Sequence, residues 1–236
     1  MQARYLLVLV VVALAVAVPN AAYAGFVNLG FESGTSGWAS FYEPGGASHK
    51  VRDGSAGNEY WVSNLLYTYL PPEGIAYMWL DPDGTGDATA MSQTQTLGGG
   101  EVIEALAAFD AQDVYSAGPP VVGDDWAEVR IYSGTWNAEQ ISKGLGGAPG
   151  ALVATPWHAD VFTGPDDGPW TKWSWTVPTG GGTYTLAYLV ANQGDALNDS
   201  PAMFDAVPEA STAVLFGVSL VGLSLLGYRR RKAVAR

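Results

Sequence analysis

The chain has 236 residues, 48% of them hydrophobic and 14% charged, with 30 glycines, 14 prolines, 9 tryptophans, 12 tyrosines and no cysteine. The missing thiol excludes cysteine nucleophiles, thiolate zinc sites, iron–sulfur clusters and disulfide staples. The net charge of −12 is unevenly spread: 22 of the 23 acids lie between Gly25 and Val207, against five bases (Lys50, Arg52, Arg130, Lys143 and Lys172). That segment therefore carries about −17, a surface that repels nucleic acid and anionic lipid headgroups.

Met1 to Arg4 is short and basic, Tyr5 to Val18 is uninterruptedly apolar, and Ala22 and Ala24 stand in an A-x-A arrangement. This is the three-part layout of a secretory signal peptide over 1–24, cleaved after Ala24. The apolar run is too short for a spanning helix of ~20 residues. Residues 25–206 then form one domain, long enough to bury a core without disulfides.

Short apolar or alternating runs punctuated by Gly, Pro, Asp and Asn predict strands. In chain order these are Val27–Phe31, Trp38–Tyr42, Glu59–Val62, Ile75–Leu80, Ala88–Leu97, Val102–Ala111, Trp126–Tyr132, Leu152–Thr155, Thr171–Val177, Thr183–Ala191 and Ala202–Val207. The stretch 101–112, "EVIEALAAFDAQ", fits a helix by composition and a strand by the alternation of Ile103, Ala105, Ala107 and Phe109. Trp173, Trp175 and Val177 share one strand face, as do Tyr184, Leu186, Tyr188 and Val190, which makes Trp173 and Trp175 core residues. "PTGGGTY" between those two runs reads as a hairpin connection. Many short two-faced strands predict an all-β, two-sheet sandwich. Long loops are expected around 43–57, 112–125 and 155–169, where binding residues concentrate on such a scaffold.

Catalytic signatures are missing. The two histidines, His49 and His158, have no metal spacing, and no G-x-S-x-G, H-E-x-x-H or phosphate-cradling glycine loop occurs. The adjacent acids Asp124–Asp125 and Asp166–Asp167 read as solvated loop residues, and nothing selects a glycosidase pair. Asp81, Asp83, Thr85 and Asp87 imitate the first half of an EF-hand loop, but Ser92 stands where the bidentate Glu belongs, so this is an Asp-Gly turn. The expectation is a non-catalytic protein. Sugar faces stack on aromatic rings, which makes Trp136, Trp157 and Trp170, in or beside loops, the candidate ligand contacts.

The C-terminal end answers to a membrane. Ala213 to Tyr228 is sixteen residues without a charge, a helix of ~24 Å. Arg229, Arg230, Arg231 and Lys232 follow it and extend it by snorkelling. The basic stop assigns the C-terminus to the cytoplasm and the domain to the exterior.

The segment 207–236 resembles a PEP-CTERM sorting domain: a short motif, Val207-Pro208-Glu209-Ala210-Ser211, then the apolar helix 213–228, then the basic tail 229–236. Ala210 replaces the second proline of the family pattern. The resemblance implies a Gram-negative bacterium, membrane anchoring, processing by an exosortase, and a place at the cell surface or in an exopolysaccharide biofilm matrix. "FVNLGFESGTSGW" and "TYTLAYLVANQGDALNDSPAMFDAV" are similar to the opening and closing strands of carbohydrate-binding-module-like jelly rolls. That resemblance implies a jelly-roll β-sandwich with a structural calcium between its first and last strands, held here by Glu32 and Asp205. The function it implies is an exported, non-catalytic surface or matrix protein that binds exopolysaccharide. Two other classes stand beside it: an adhesive protein that binds proteins through its acidic surface, and a glycoside-acting enzyme.

Overall fold

The computed structural model describes residues 25–42, 48–53, 58–62, 65–72, 74–82, 88–111, 125–144, 150–161, 168–192 and 200–207. The leader 1–24, the motif from Pro208 onward, the apolar run and the basic tail lie outside the described residues, as do Asp83–Asp87, Asp124 and Asp166–Asp167. Among the described residues no helix is long and apolar enough to cross a membrane.

Twelve strands are described: β1 Ala39–Phe41, β2 Ser48–Asp53, β3 Asn58–Val62, β4 Leu65–Tyr69, β5 Ala76–Asp81, β6 Thr89–Leu97, β7 Val102–Phe109, β8 Trp126–Ser133, β9 Leu152–Asp160, β10 Thr171–Thr176, β11 Gly182–Ala191 and β12 Ala202–Ala206. They form two five-stranded antiparallel sheets, β1-β6-β11-β8-β9 and β10-β7-β12-β5-β2, and a separate hairpin, β3-β4. The molecule is an all-β sandwich whose chain repeatedly crosses from one sheet to the other, the winding of a jelly roll. One short helix, α1 (Ala138–Ser142), packs on the outer face of the first sheet. Asn137 caps it: its side chain accepts the Gln140 N–H at 2.8 Å, and Gln140 returns a bond to the Asn137 N–H at 3.1 Å.

The core lies between the inward faces of the sheets. Met78, Leu80, Met91, Ile103, Phe109, Val129, Ile131, Trp173, Leu186, Tyr188, Val190 and Phe204 fill it. The shared faces of β10 and β11 are both buried there, with Trp175 packed partly exposed against Tyr184. The stretch 101–112 resolves as strand β7, its Ile103, Ala105, Ala107 and Phe109 all inward.

Four expectations are corrected. Val27–Phe31 is a turn, because Asn28 and Phe31 have φ of 53° and 55°, a left-handed conformation incompatible with a strand. "PTGGGTY" joins β10 of one sheet to β11 of the other and is not a hairpin, since their apolar faces meet across the core. The expected loop 43–57 contains β2, a polar edge strand in which Val51 packs against the core and Lys50 lies exposed. Strand β9 runs on to Asp160, five residues beyond the expected end, through Pro156, which an edge strand tolerates. A further strand, β4, pairs with β3 from Leu65 to Tyr69.

His49 on β2 supplies a pH test. Its Nδ1 is buried without a hydrogen-bond partner, its ring tilts against Tyr42 at 5.5 Å, and burial lowers its pKa from 6.5. The unfolded chain therefore binds this proton more readily than the folded one, so the contribution is complete above about pH 6.5 and is lost as pH falls below it. The melting temperature should drop between pH 7 and pH 5, and His49→Gln should flatten that drop. An unchanged pH slope in the variant would refute the assignment.

Candidate functional site

The loop between Phe26 and Trp38 closes one end of the sandwich. Phe31 packs against Trp38 (5.3 Å between centroids) and against Tyr188 (6.3 Å), although its backbone is strained. Asn28 ties the loop: its side chain donates to the Gly34 and Ser36 carbonyls at 2.8 and 3.2 Å and accepts the Ser33 N–H at 3.1 Å. Gly30 lies against β12, where an added Cβ would stand 3.3 Å from Asp205 Oδ1 and 3.2 Å from the Ala206 Cβ.

The two carboxylates expected to hold calcium lie at the same end of the second sheet. Glu32 is exposed, and its Oε1 accepts the Ile75 and Ala76 N–H groups at 2.9 and 3.2 Å, at the start of β5. Asp205, near the end of neighbouring β12, is fully buried, and its Oδ1 accepts the Ala206 N–H at 2.7 Å. Nearby, the fully buried Tyr188 hydroxyl has no hydrogen-bond partner; burial, and then the Asp205 charge, push its pKa up. The two carboxylates offer oxygen donors, the chemistry calcium takes. Among the described residues no three His, Asp or Glu side chains gather as a metal cage, so backbone carbonyls would have to complete the coordination.

The three candidate tryptophans do not converge. Trp157 belongs to β9, is partly buried and packs edge-on against the core residue Phe204 at 5.9 Å. Trp170 lies on the outer side of the second sheet, edge-on to Tyr77 at 5.8 Å, and donates its Nε1–H to the Leu70 carbonyl at 3.2 Å. Trp136 lies on the outer side of the first sheet, where its Nε1–H donates to the Ser133 carbonyl at 2.8 Å and its ring neighbours Tyr132 at 6.3 Å.

Trp136 continues a row that the sequence analysis did not single out. Along β8, Ala127, Val129 and Ile131 point into the core, while Trp126, Glu128, Arg130 and Tyr132 point outward. The Arg130 guanidinium stands 5.1 Å from the Trp126 ring centroid, pairs with Glu128, and reaches the Tyr132 hydroxyl at 3.4 Å. Burial works against its charge, but Tyr132 and Glu128 more than offset this and raise its pKa. On β9, His158 faces Glu128 and Asp160 faces Trp126. The imidazole bridges the two acids, Nδ1 to Glu128 at 2.9 Å and Nε2 to Asp160 at 3.0 Å. The result is a strip of two partly exposed rings, Trp126 and Trp136, with fixed polar groups between them along one strand face; Tyr132 is buried within it, beside α1. The alternation in "WAEVRIYS" was the available signal for it.

Asp125 corrects an expectation. It is fully buried, not solvated, and its Oδ2 accepts the Ser200 N–H at 3.1 Å, linking the starts of β8 and β12.

No protein-family model matches the chain, and no curated protein matches it. Among solved structures it is similar to TmCBM61 in complex with beta-1,4-galactotriose, at 16% identity over 76% of this chain and 92% of that one, TM-score 0.40. It is similar to a family 16 carbohydrate-binding module at 15% identity over 77% and 96%, TM-score 0.38. A third is the K3 cleaved adhesin domain of Lys-gingipain from Porphyromonas gingivalis, at 14% identity over 75% and 94%, TM-score 0.38. In the enzymatically active domain of bacteriophage CBA120 tailspike protein 4 the chain spans only 20% of the length.

Proposed function

We propose that this is an exported, non-catalytic surface or matrix protein whose sandwich binds exopolysaccharide along the outward face of β8. The leader 1–24 exports it, the helix 213–228 and basic stop 229–232 anchor it, and an exosortase reads the motif 207–211. The observation that carries the binding reading is the partly exposed row Trp126–Glu128–Arg130 on β8, continued by Trp136 over the buried Tyr132. Rings give a sugar an apolar face to lie on, and the polar groups between them, already fixed by one another, orient its hydroxyls. Trp157 and Trp170 serve packing in this reading. Calcium held near Glu32 and Asp205 is structural, remote from the row.

The non-catalytic part rests on the carboxylates. A glycosidase holds two acids on either side of the scissile bond. In this row Glu128 and Asp160 are bridged by the His158 ring, which fills the space between them.

Binding of the exported protein to immobilised neutral polysaccharides tests the reading. Trp136→Ala should weaken it about tenfold, the loss of one good aromatic contact of ~1.4 kcal/mol, with an unchanged circular dichroism spectrum. A glycan panel without any binder, with and without calcium, would overturn it. Polysaccharide turnover would make the protein an enzyme instead.

A further inference from the structure

The end of the sandwich from which the chain leaves carries most of its exposed apolar side chains. β12 ends at Ala206, paired with Ala105 of β7, so the exit lies beside the start of β7 and the start of β5. The turn from Leu97 to Val102 joins the two sheets at this end, and Gly182 opposite Leu97 and Leu152 opposite Tyr132 bring in the first sheet. Among the described residues seven large apolar side chains are exposed. Four of them, Ile75 (69%), Val102 (52%), Leu152 (44%) and Val153 (40%), belong to this end. Val27 is bonded to Gln93 at mid-strand, and Tyr42 and Leu70 belong to the opposite end, beside the end of β1 and the start of β10.

Chain length supplies the occupant. Five residues, Pro208 to Thr212, separate Val207 from the apolar run that begins at Ala213. Fully extended they span at most about 20 Å. A strand of ten residues such as β11 is about 33 Å long. The exit end is thus held closer to the anchor than the sandwich is tall.

We propose that this end, with Ile75 and Val102 at its centre, rests on the bilayer that receives the chain's own tail. This rests on the tail being a membrane anchor. Partly buried apolar side chains at the headgroup boundary gain from leaving water. Glu32 and Glu101 at the same end, exposed and partly exposed, favour a zwitterionic surface over an anionic one. The β8 row then runs along the membrane normal, its Trp126 end outermost.

The natural absence of cysteine makes the test direct. Full-length Ile75→Cys, Val102→Cys and Leu70→Cys proteins, each carrying one fluorophore, are placed in phosphatidylcholine vesicles containing a headgroup quencher. The labels at 75 and 102 should be quenched at least about threefold more than the label at 70. Equal quenching at all three, in a chain that resists alkaline extraction, overturns the docking alone. A chain that washes off at alkaline pH overturns the anchor and the docking with it. Disulfide cross-linking between two unlabelled Ile75→Cys chains, with labelled chains unquenched by lipid, assigns the surface to a second copy and overturns the proposal.

Discussion

Tyr188→Ala should lower the unfolding free energy by about 3–5 kcal/mol, the range for deleting a large buried aromatic ring. Tyr188 is fully buried on β11, stacks on Phe204 of β12 at 4.2 Å with 6° between the planes, and stacks on Trp38 at 4.8 Å. Trp173 meets it edge-on at 6.4 Å. One ring thus joins both sheets and the N-terminal loop, and the cavity left behind would be lined by aromatic rings too rigid to close it. Tyr188→Phe is the control. Its hydroxyl has no hydrogen-bond partner, so in calcium-free buffer the change should stay within about 1 kcal/mol. Urea midpoints measure both. A Tyr188→Ala protein as stable as its parent would deny the ring this role.

Removing calcium should have the second largest effect. An ion that binds only the folded state at 100 times its dissociation constant adds about 2.7 kcal/mol. For a domain of this size that corresponds to a melting temperature roughly 5–10 °C higher than in chelator. Asp205→Asn should abolish the difference between calcium and chelator. Glu32→Ala should remove it too, from a lower baseline, because the Ile75 and Ala76 N–H groups also lose their acceptor. Melting curves indifferent to chelator in the parent protein would remove the ion from the account.

The sandwich was legible where a strand sends its large apolar side chains to one face. Trp173, Tyr184, Leu186 and Tyr188 alternate with polar or small residues, and each lies in the core as the period-two pattern demands. It was illegible where a strand gains its place from its neighbours. β2, "SHKVRD", forms because β5 offers it a ladder from Ser48 to Asp53, and its own residues signal nothing. The turn at Asn28–Phe31 misled for the opposite reason: Phe31 is buried and Leu29 partly buried, but from a left-handed loop that tertiary packing holds in place. The candidate site was half legible. In the sequence Trp136 stands as a lone ring near a loop, whereas its partners belong to the outward half of β8, where charged residues alternate with core residues and carry no apolar signal. His158 joined them only through register, opposite Glu128 on a strand longer than its apolar signal.

The position of β12 bears on how the molecule carries load. It is the middle strand of its sheet, laddered to β7 on one side and β5 on the other, and it is the strand from which the chain departs. If, as proposed, β8 grips a polymer and the tail beyond Val207 is anchored, tension between the two would pull β12 lengthwise. Both ladders then resist in shear, with Phe204 wedged beneath Tyr188, and many bonds must fail together. Had the chain left from an edge strand such as β2 or β10, the same pull would peel one ladder a bond at a time.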